Sequence, residues 1–208
     1  AEAPETLRNT MTLADLLVER DPQSPTLTLL LAFEVAVKRL DLEMRFTMSS
    51  WLALDDDVWR TLIGQVRITR GPRRAAVVYE KVSRTPADAP IVGALAYVQI
   101  GDNGRQRTAL ALCGVAPTPI AQPGATRILD EGGALDAALD ALRLDPPDDH
   151  WGSREYRTEL ARVVRPGGRV AVDLRVQRRQ VAPFARVVAR GGGDRQHERG
   201  LLVRAVHA

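Results

Sequence analysis

Histidine and cysteine, which often transfer protons or bind metals, are rare in this 208-residue chain. Its three histidines, His150, His197 and His207, lie in polar sequence, and no ordering of Ser, His and Asp typical of nucleophilic catalysis stands out. Asp148 and Asp149 precede His150 and raise the alternative of a metal site. Acidic residues in a loop that leads into a helix explain this combination better. The sequence therefore predicts no catalytic residue and no metal site.

The remaining candidates have simpler structural explanations. Asp55-Asp56-Asp57 is interpreted as a charged turn, because no histidine or further carboxylate cluster converges on it. Gly132-Gly133 lacks the pattern that follows a phosphate-binding loop. Cys113 is the only cysteine, which excludes a disulfide or a cysteine-based iron–sulfur or zinc site within the chain. Its apolar neighbours indicate a small buried side chain rather than a reactive thiol.

Six short stretches form an ordered set that is more specific than any one of them. They are RNTMTLADL at 8–16, DPQS at 21–24, IGQVRI at 63–68, YEKVSR at 79–84 with Asp88 following, GVAPTP at 114–119, and DDHWGSREYR at 148–157. The set resembles the FAD-binding (medium) subunit of molybdenum hydroxylases, the xanthine and carbon monoxide dehydrogenase family. The resemblance runs from residue 8 to residue 165 or so.

The resemblance implies a role in electron transfer. In this family the medium subunit holds FAD, receives electrons from an iron–sulfur subunit and passes them to an external acceptor. The flavin carries the reaction, so the protein supplies binding and orientation rather than proton chemistry. By position, five residues occupy the segment that binds the flavin pyrophosphate: Thr12, Leu13, Ala14, Asp15 and Leu16.

Three further residues match flavin contacts of the family. Asp21 corresponds to a flavin-contacting aspartate, Ile63 to an apolar residue that contacts through its backbone, and Lys81 to a contact of the flavin ring. The resemblance also implies the molybdopterin and iron–sulfur subunits of a dehydrogenase complex as partners. Self-association is a further interaction that the sequence leaves open.

Two departures from the family pattern bear on FAD. The family has paired glycines, which let backbone N–H groups approach the pyrophosphate, where this chain has Ala14 and Asp15. A carboxylate at about 4 Å from a phosphate charge costs roughly 4 kcal/mol per pair at an effective dielectric of about 20. The match also begins at Arg8, without the family's N-terminal lobe. We therefore expect a truncated homologue that does not by itself bind FAD in the family's manner.

The composition bounds the class of protein and its partners. Hydrophobic residues make up 45% and charged residues 26%, as in ordinary soluble globular proteins. There is no membrane-length apolar run and no signal-peptide layout, so a cytoplasmic location is the default expectation.

Residues 1–150 carry 16 basic and 21 acidic residues, whereas residues 151–208 carry 13 and 5. This basic end suggests an alternative function as a non-catalytic interaction module, although a solvated arginine-rich segment is the preferred explanation and nucleic acid is not expected as a partner.

The hydrophobic pattern predicts the elements that must position these residues. They are a helix over 10–20, an apolar run over 27–32, strands over 33–38, 41–46, 62–69, 75–83, 91–100 and 107–115, and helices over 134–142 and from Ser153 to about residue 164. The three strands between 75 and 115 are separated by turns, which favours an antiparallel sheet.

The predicted fold class is α+β: a small β lobe with helices, followed by a three-stranded antiparallel sheet packed on a helical layer. Arg70-Gly71-Pro72-Arg73 is the predicted boundary between the two lobes. The predicted organisation is a partial FAD-binding-like lobe at 1–70, a flavoprotein C-terminal-like domain at 71–168 and a basic C-terminal extension at 169–208.

Overall fold

The structure is a computed structural model, and it describes residues 10–33, 35–54, 62–69, 75–101, 106–164 and 200–203. The predicted turn at 55–57, the predicted lobe boundary at 70–73, His197, His207 and most of the predicted extension at 169–208 lie outside these residues. Within them the fold is α+β, as the sequence predicts. No helix in the described ranges is long and apolar enough to cross a membrane.

The described elements follow one another along the chain as helices and strands of moderate length. They are α1 (Leu13–Glu19), α2 (Pro25–Ala32), β1 (Ala36–Arg39), β2 (Arg45–Thr47), α3 (Met48–Leu52), β3 (Ile63–Thr69), β4 (Ala75–Val82), β5 (Val92–Ile100), β6 (Gln106–Cys113), β7 (Ile120–Ala121), α4 (Pro123–Asp130), α5 (Leu135–Asp140), α6 (Arg154–Val163) and β8 (Gly200–Val203).

The apolar run at 27–32 forms the buried helix α2. Ser24 begins it, since its side chain accepts the backbone N–H of Leu27 at 3.1 Å, and Pro25 occupies the first turn, where a missing N–H costs nothing. Leu27, Leu30 and the other residues of the helix are apolar or threonine all round. A helix of this kind shows no amphipathic period, because it is covered on all sides.

Two antiparallel sheets organise the strands. The first has the order β2-β1-β3-β8, and the second has the order β4-β5-β6-β7. The three strands predicted between 75 and 115 are confirmed as β4, β5 and β6, which pair over their full lengths. The short strand β7, which the pattern did not predict, pairs with the end of β6 and makes this sheet four-stranded.

The helical layer over the second sheet consists of α4, α5 and α6. The helix predicted at 134–142 is α5, which is shorter, and α4 was not anticipated from the sequence. Ser153 caps α6 as predicted, because its hydroxyl accepts the N–H of Tyr156 at 3.2 Å. Ala161 and Val164 of this helix and its cap pack with Val92 and Leu112 of the sheet in one buried cluster.

A separate core lies under the first sheet. Trp51, Leu17 and Leu27 are fully buried there, and the Trp51 indole N–H donates to the carbonyl of Leu17 at 2.8 Å. Helix α2 joins this core to the second sheet, since it packs against β5 and β6 as well as α3. A backbone hydrogen bond of 2.7 Å from Gly114 to the carbonyl of Pro22 ties the two parts together at a second place.

Candidate functional site

The segment matched to the pyrophosphate contacts forms the start of α1. The Asp15 carboxylate accepts the backbone N–H of Thr12 at 2.7 Å and its hydroxyl at 2.8 Å. In return, the Thr12 hydroxyl accepts the backbone N–H of Asp15 at 3.2 Å. This reciprocal arrangement is a capping box, which satisfies N–H groups that have no partner inside the helix.

The apolar members of the same segment pack inwards. Leu13, Ala14 and Leu16 are half-buried and lie against the core under the first sheet. Leu17, one residue further, is fully buried in that core. The side chains of this segment therefore cap the start of α1 and pack it against the core.

Asp21, Ile63 and Lys81 also have structural contacts. Asp21 accepts the backbone N–H of Gln23 at 2.9 Å in the turn between α1 and α2. Ile63 begins β3 and belongs to the buried core under the first sheet. The Lys81 ammonium donates to the carbonyls of Pro86 at 3.0 Å and Asp88 at 2.6 Å, and so holds the loop that follows β4.

The structure brings only some of these residues to one place. Lys81, Gly93 and Cys113 form one row across β4, β5 and β6, and the turn that contains Asp21 and Pro22 contacts the end of this row through Gly114. Ile63 and the residues of α1 belong instead to the core under the first sheet. The assignment of these residues to flavin contacts stays a prediction.

The residues that the resemblance matches to pyrophosphate contacts do not fit a diphosphate. A carboxylate already occupies the first turn of α1 and accepts two hydrogen bonds from Thr12. The positions that need glycine for a close backbone approach carry the side chains of Ala14 and Asp15.

A buried arginine organises the other motif residues. Arg157 of α6 is fully buried, and one of its terminal nitrogens donates to the carbonyls of Ile91 at 2.6 Å and Gly114 at 3.0 Å. Its other terminal nitrogen forms an ion pair of 2.6 Å with Asp149, and Nε donates to the carbonyl of Gly152 at 3.3 Å. Arg157 thus links α6 to the start of β5 and the end of β6.

Two neighbours of Arg157 are of particular interest: Asp149, whose pKa depends on the arginine, and Gly114, where a side chain would not fit. Burial raises the pKa of Asp149, but hydrogen bonds from Arg157 and from the backbone of Trp151 and Gly152 outweigh burial and hold that pKa below its usual value. Gly114 has a φ of +75°, and a Cβ there would lie 2.0 Å from the carbonyl oxygen of Ile91. The sequence pattern contains Arg157 but gives no sign of its burial, because its acceptors come from distant parts of the chain.

The loop after β4 is tied to the turn before α6. Arg84 donates to the carbonyl of His150 at 2.7 Å, and its guanidinium lies 4.9 Å from the ring centroid of Trp151. In the stretches 79–84 and 148–157, Lys81, Arg84 and Arg157 thus make contacts that join loops and strands. Arg154 instead pairs with Asp145 at the surface.

Cys113 is buried, as its apolar neighbours predict. Burial raises the pKa of its thiol, and the Tyr79 hydroxyl lies 3.7 Å from its sulfur. Such a thiol is held in the protonated, unreactive form. Among the described residues no group of three or more His, Cys, Asp or Glu side chains could hold a metal ion.

A cleft of about 930 Å³ lies elsewhere, where the end of α2 meets β5, β6 and α4. Phe33 and Tyr97 form part of its wall as an edge-to-face ring pair with centroids 5.0 Å apart. Asp130 on its rim accepts the backbone N–H of Thr108 at 2.7 Å. None of the residues matched to flavin contacts lines this cleft.

Comparison with known proteins confirms the resemblance over the range that holds the last three of the six stretches. Residues 77–165 match the family model of the CO dehydrogenase flavoprotein C-terminal domain. This range includes Lys81, Arg84, Cys113 and Arg157. It ends one residue after Val164, the cap at the end of α6. No curated protein matches the sequence.

Solved structures share the fold over most of the chain. A reconstituted CO dehydrogenase from Oligotropha carboxidovorans aligns with a TM-score of 0.64 at 23% identity over 78% of this chain and 60% of that chain. CO dehydrogenase from Hydrogenophaga pseudoflava, lacking the Mo-pyranopterin moiety, gives a TM-score of 0.64 at 21% identity over the same shares. Quinoline 2-oxidoreductase from Pseudomonas putida 86 gives 0.66 at 19% identity over 83% of this chain and 65% of that chain. The chain thus spans about 60–65% of the length of these solved chains.

Proposed function

We propose, on the premise that residues 77–165 are a C-terminal domain of the CO dehydrogenase flavoprotein type, that the chain is a scaffold within a molybdopterin-dependent dehydrogenase. It corresponds to part of the FAD-binding subunit and is degenerate in flavin binding. Electron transfer from iron–sulfur clusters through FAD to an acceptor belongs to the assembled complex. The chain packs against the iron–sulfur or molybdopterin subunits, or completes a flavin site whose other lobe is a separate chain.

One observation carries this proposal: Lys81, Arg84 and Arg157, three basic residues of the family motifs, make contacts within the chain. Arg157 and Lys81 donate to backbone carbonyls, and Arg84 joins the loop after β4 to the turn before α6. Side chains held in this way fix the shape of the domain. A rigid domain of fixed shape is what a subunit needs in order to present a docking surface.

The proposal is tested by purifying the tagged full-length chain from its native host and measuring the bound metal. We expect stoichiometric iron and molybdenum in the purified complex, with the two partner subunits identified by mass. A preparation that contains neither metal, although the chain is folded and abundant, would contradict a role in such a complex.

The alternative is an interaction module that uses the basic C-terminal segment 169–208, which lies in the part of the chain, 151–208, that has 13 basic and 5 acidic residues. Salt separates the two functions. Contacts between exposed charges weaken as salt screens them, whereas a packed subunit interface persists. Retention of both metals after a high-salt wash supports the scaffold, and loss of all partners in that wash supports the basic module.

A further inference from the structure

We propose that the Asp15 carboxylate takes the place of the cofactor's diphosphate as the anion at the start of α1, so that this part of the fold is complete without FAD. The inference rests on the proposed function, because the family framework is what places residues 12–16 at the pyrophosphate position. It adds a specific cause for the degeneracy in flavin binding, namely an internal anion.

The hydrogen bonds of Asp15 support this exchange. Its carboxylate lies at the positive end of α1 and accepts both the N–H and the hydroxyl of Thr12, at 2.7 Å and 2.8 Å. These are the kinds of donor that a phosphate oxygen would use at a helix start. A carboxylate and a phosphate cannot share them without like-charge repulsion.

The packing of α1 supports it independently. Ala14 is half-buried, and with Leu13 and Leu16 it lies against the core that contains Leu17 and Trp51. The helix is therefore positioned by apolar contacts on one side and by the capping box at its start. A bound cofactor is not needed for either.

The consequence is that FAD does not stabilise the folded chain. A ligand that binds the native state raises the melting temperature by mass action, and the flavoproteins of this fold would gain stability in this way. In this chain the corresponding gain comes from Asp15 itself and is present at all times. Removal of the carboxylate therefore lowers the stability of the protein in the absence of any cofactor.

The experiment compares thermal unfolding of the full-length protein and two variants, each with and without excess FAD. Asp15→Ala removes the capping carboxylate. Asp136→Ala is the matched control, because Asp136 is an exposed acidic residue in the first turn of α5, whose start has no side-chain capping hydrogen bond. Bound flavin is measured in parallel from the absorbance that remains with the protein after desalting.

We expect the melting temperature of the unsubstituted protein to be the same with and without FAD. Asp15→Ala lowers it by about 2–4 °C, as expected for a lost capping box, whereas Asp136→Ala lowers it by less, because Asp136 interacts with the helix dipole without a capping hydrogen bond. A rise of the melting temperature with FAD, or stoichiometric flavin after desalting, overturns the proposal. Equal melting temperatures for the two variants overturn it as well.

These outcomes are independent of the metal measurement that tests the proposed function. A chain that carries partner subunits with iron and molybdenum but binds FAD at this segment contradicts only the role of Asp15. A chain that binds neither partners nor FAD contradicts only the role as a scaffold in a dehydrogenase.

Discussion

At the scale of single residues, Arg157 is a buried charge within residues 77–165, the range that the family model matches. It is fully buried, yet its donors meet three backbone carbonyls and the carboxylate of Asp149. A buried charge is costly unless it is paired and hydrogen-bonded, and here both conditions hold. The contacts join α6 to two strands that lie far from it in sequence.

Replacement of Arg157 is predicted to destabilise the protein strongly. Arg157→Ala leaves the carbonyls of Ile91 and Gly114 and the Asp149 carboxylate without their buried partner, and we expect a loss of about 3–5 kcal/mol. Arg157→Lys keeps the charge but cannot reach all acceptors, so its loss is smaller. Urea unfolding of the full chain measures both values.

The control for this prediction is Arg154→Ala. Arg154 pairs with Asp145 at the surface, where both side chains are more than half exposed. We expect a loss below about 1 kcal/mol, because solvent screens an exposed pair. Equal losses for Arg154→Ala and Arg157→Ala would contradict the importance given to the buried contacts.

At the scale of elements, α2 has no amphipathic pattern, and the residue that caps its start, Ser24, is the local feature that favours it. The buried Ser24 hydroxyl accepts the N–H of Leu27 at 3.1 Å and so satisfies a donor that water cannot reach. Ser24→Ala is predicted to cost about 0.5–2 kcal/mol in urea unfolding. Ser49→Ala in α3, an exposed serine, serves as the control and should change the free energy of unfolding by less than about 0.5 kcal/mol.

The same helix shows what the sequence could and could not predict. The strands of the second sheet were predicted because turns separate their apolar runs, and α6 because Ser153 precedes a helical spacing. The run at 27–32 has no period, since α2 is covered on all sides by residues from distant parts of the chain. Only the pair Ser24-Pro25 carried a local signal for a helix start.

The candidate site was predictable to the extent that its residues form local contacts. Thr12 and Asp15 are three residues apart, so a capping box between them could have been read from the sequence. The contacts of Lys81 and Arg157 depend on loops and carbonyls that only the folded chain brings together. Motif spacing indicates the family in such cases, but it cannot indicate what each side chain touches.

At the scale of the whole molecule, we expect the two sheets to unfold together, because two sets of contacts join them. Helix α2 packs on both cores, and the hydrogen bond between Gly114 and Pro22 adds a second connection. The predicted lobes at 1–70 and 71–168 would then differ in topology but would not unfold independently of each other. A chain that behaves as one cooperative unit gives a single unfolding transition.

Calorimetry of the full chain tests this with one substitution in the shared helix. Leu27 is fully buried, so Leu27→Ala is expected to cost about 2–5 kcal/mol and to lower the melting temperature by at least about 4 °C. We expect a single peak in both proteins, with equal calorimetric and van't Hoff enthalpies. Leu62→Ala, at a residue that is 57% exposed, should leave the peak in place. Two peaks, of which Leu27→Ala moves only the first, would show that the lobes fold independently. The core under the first sheet would then melt without disturbing the second sheet, although α2 packs against both.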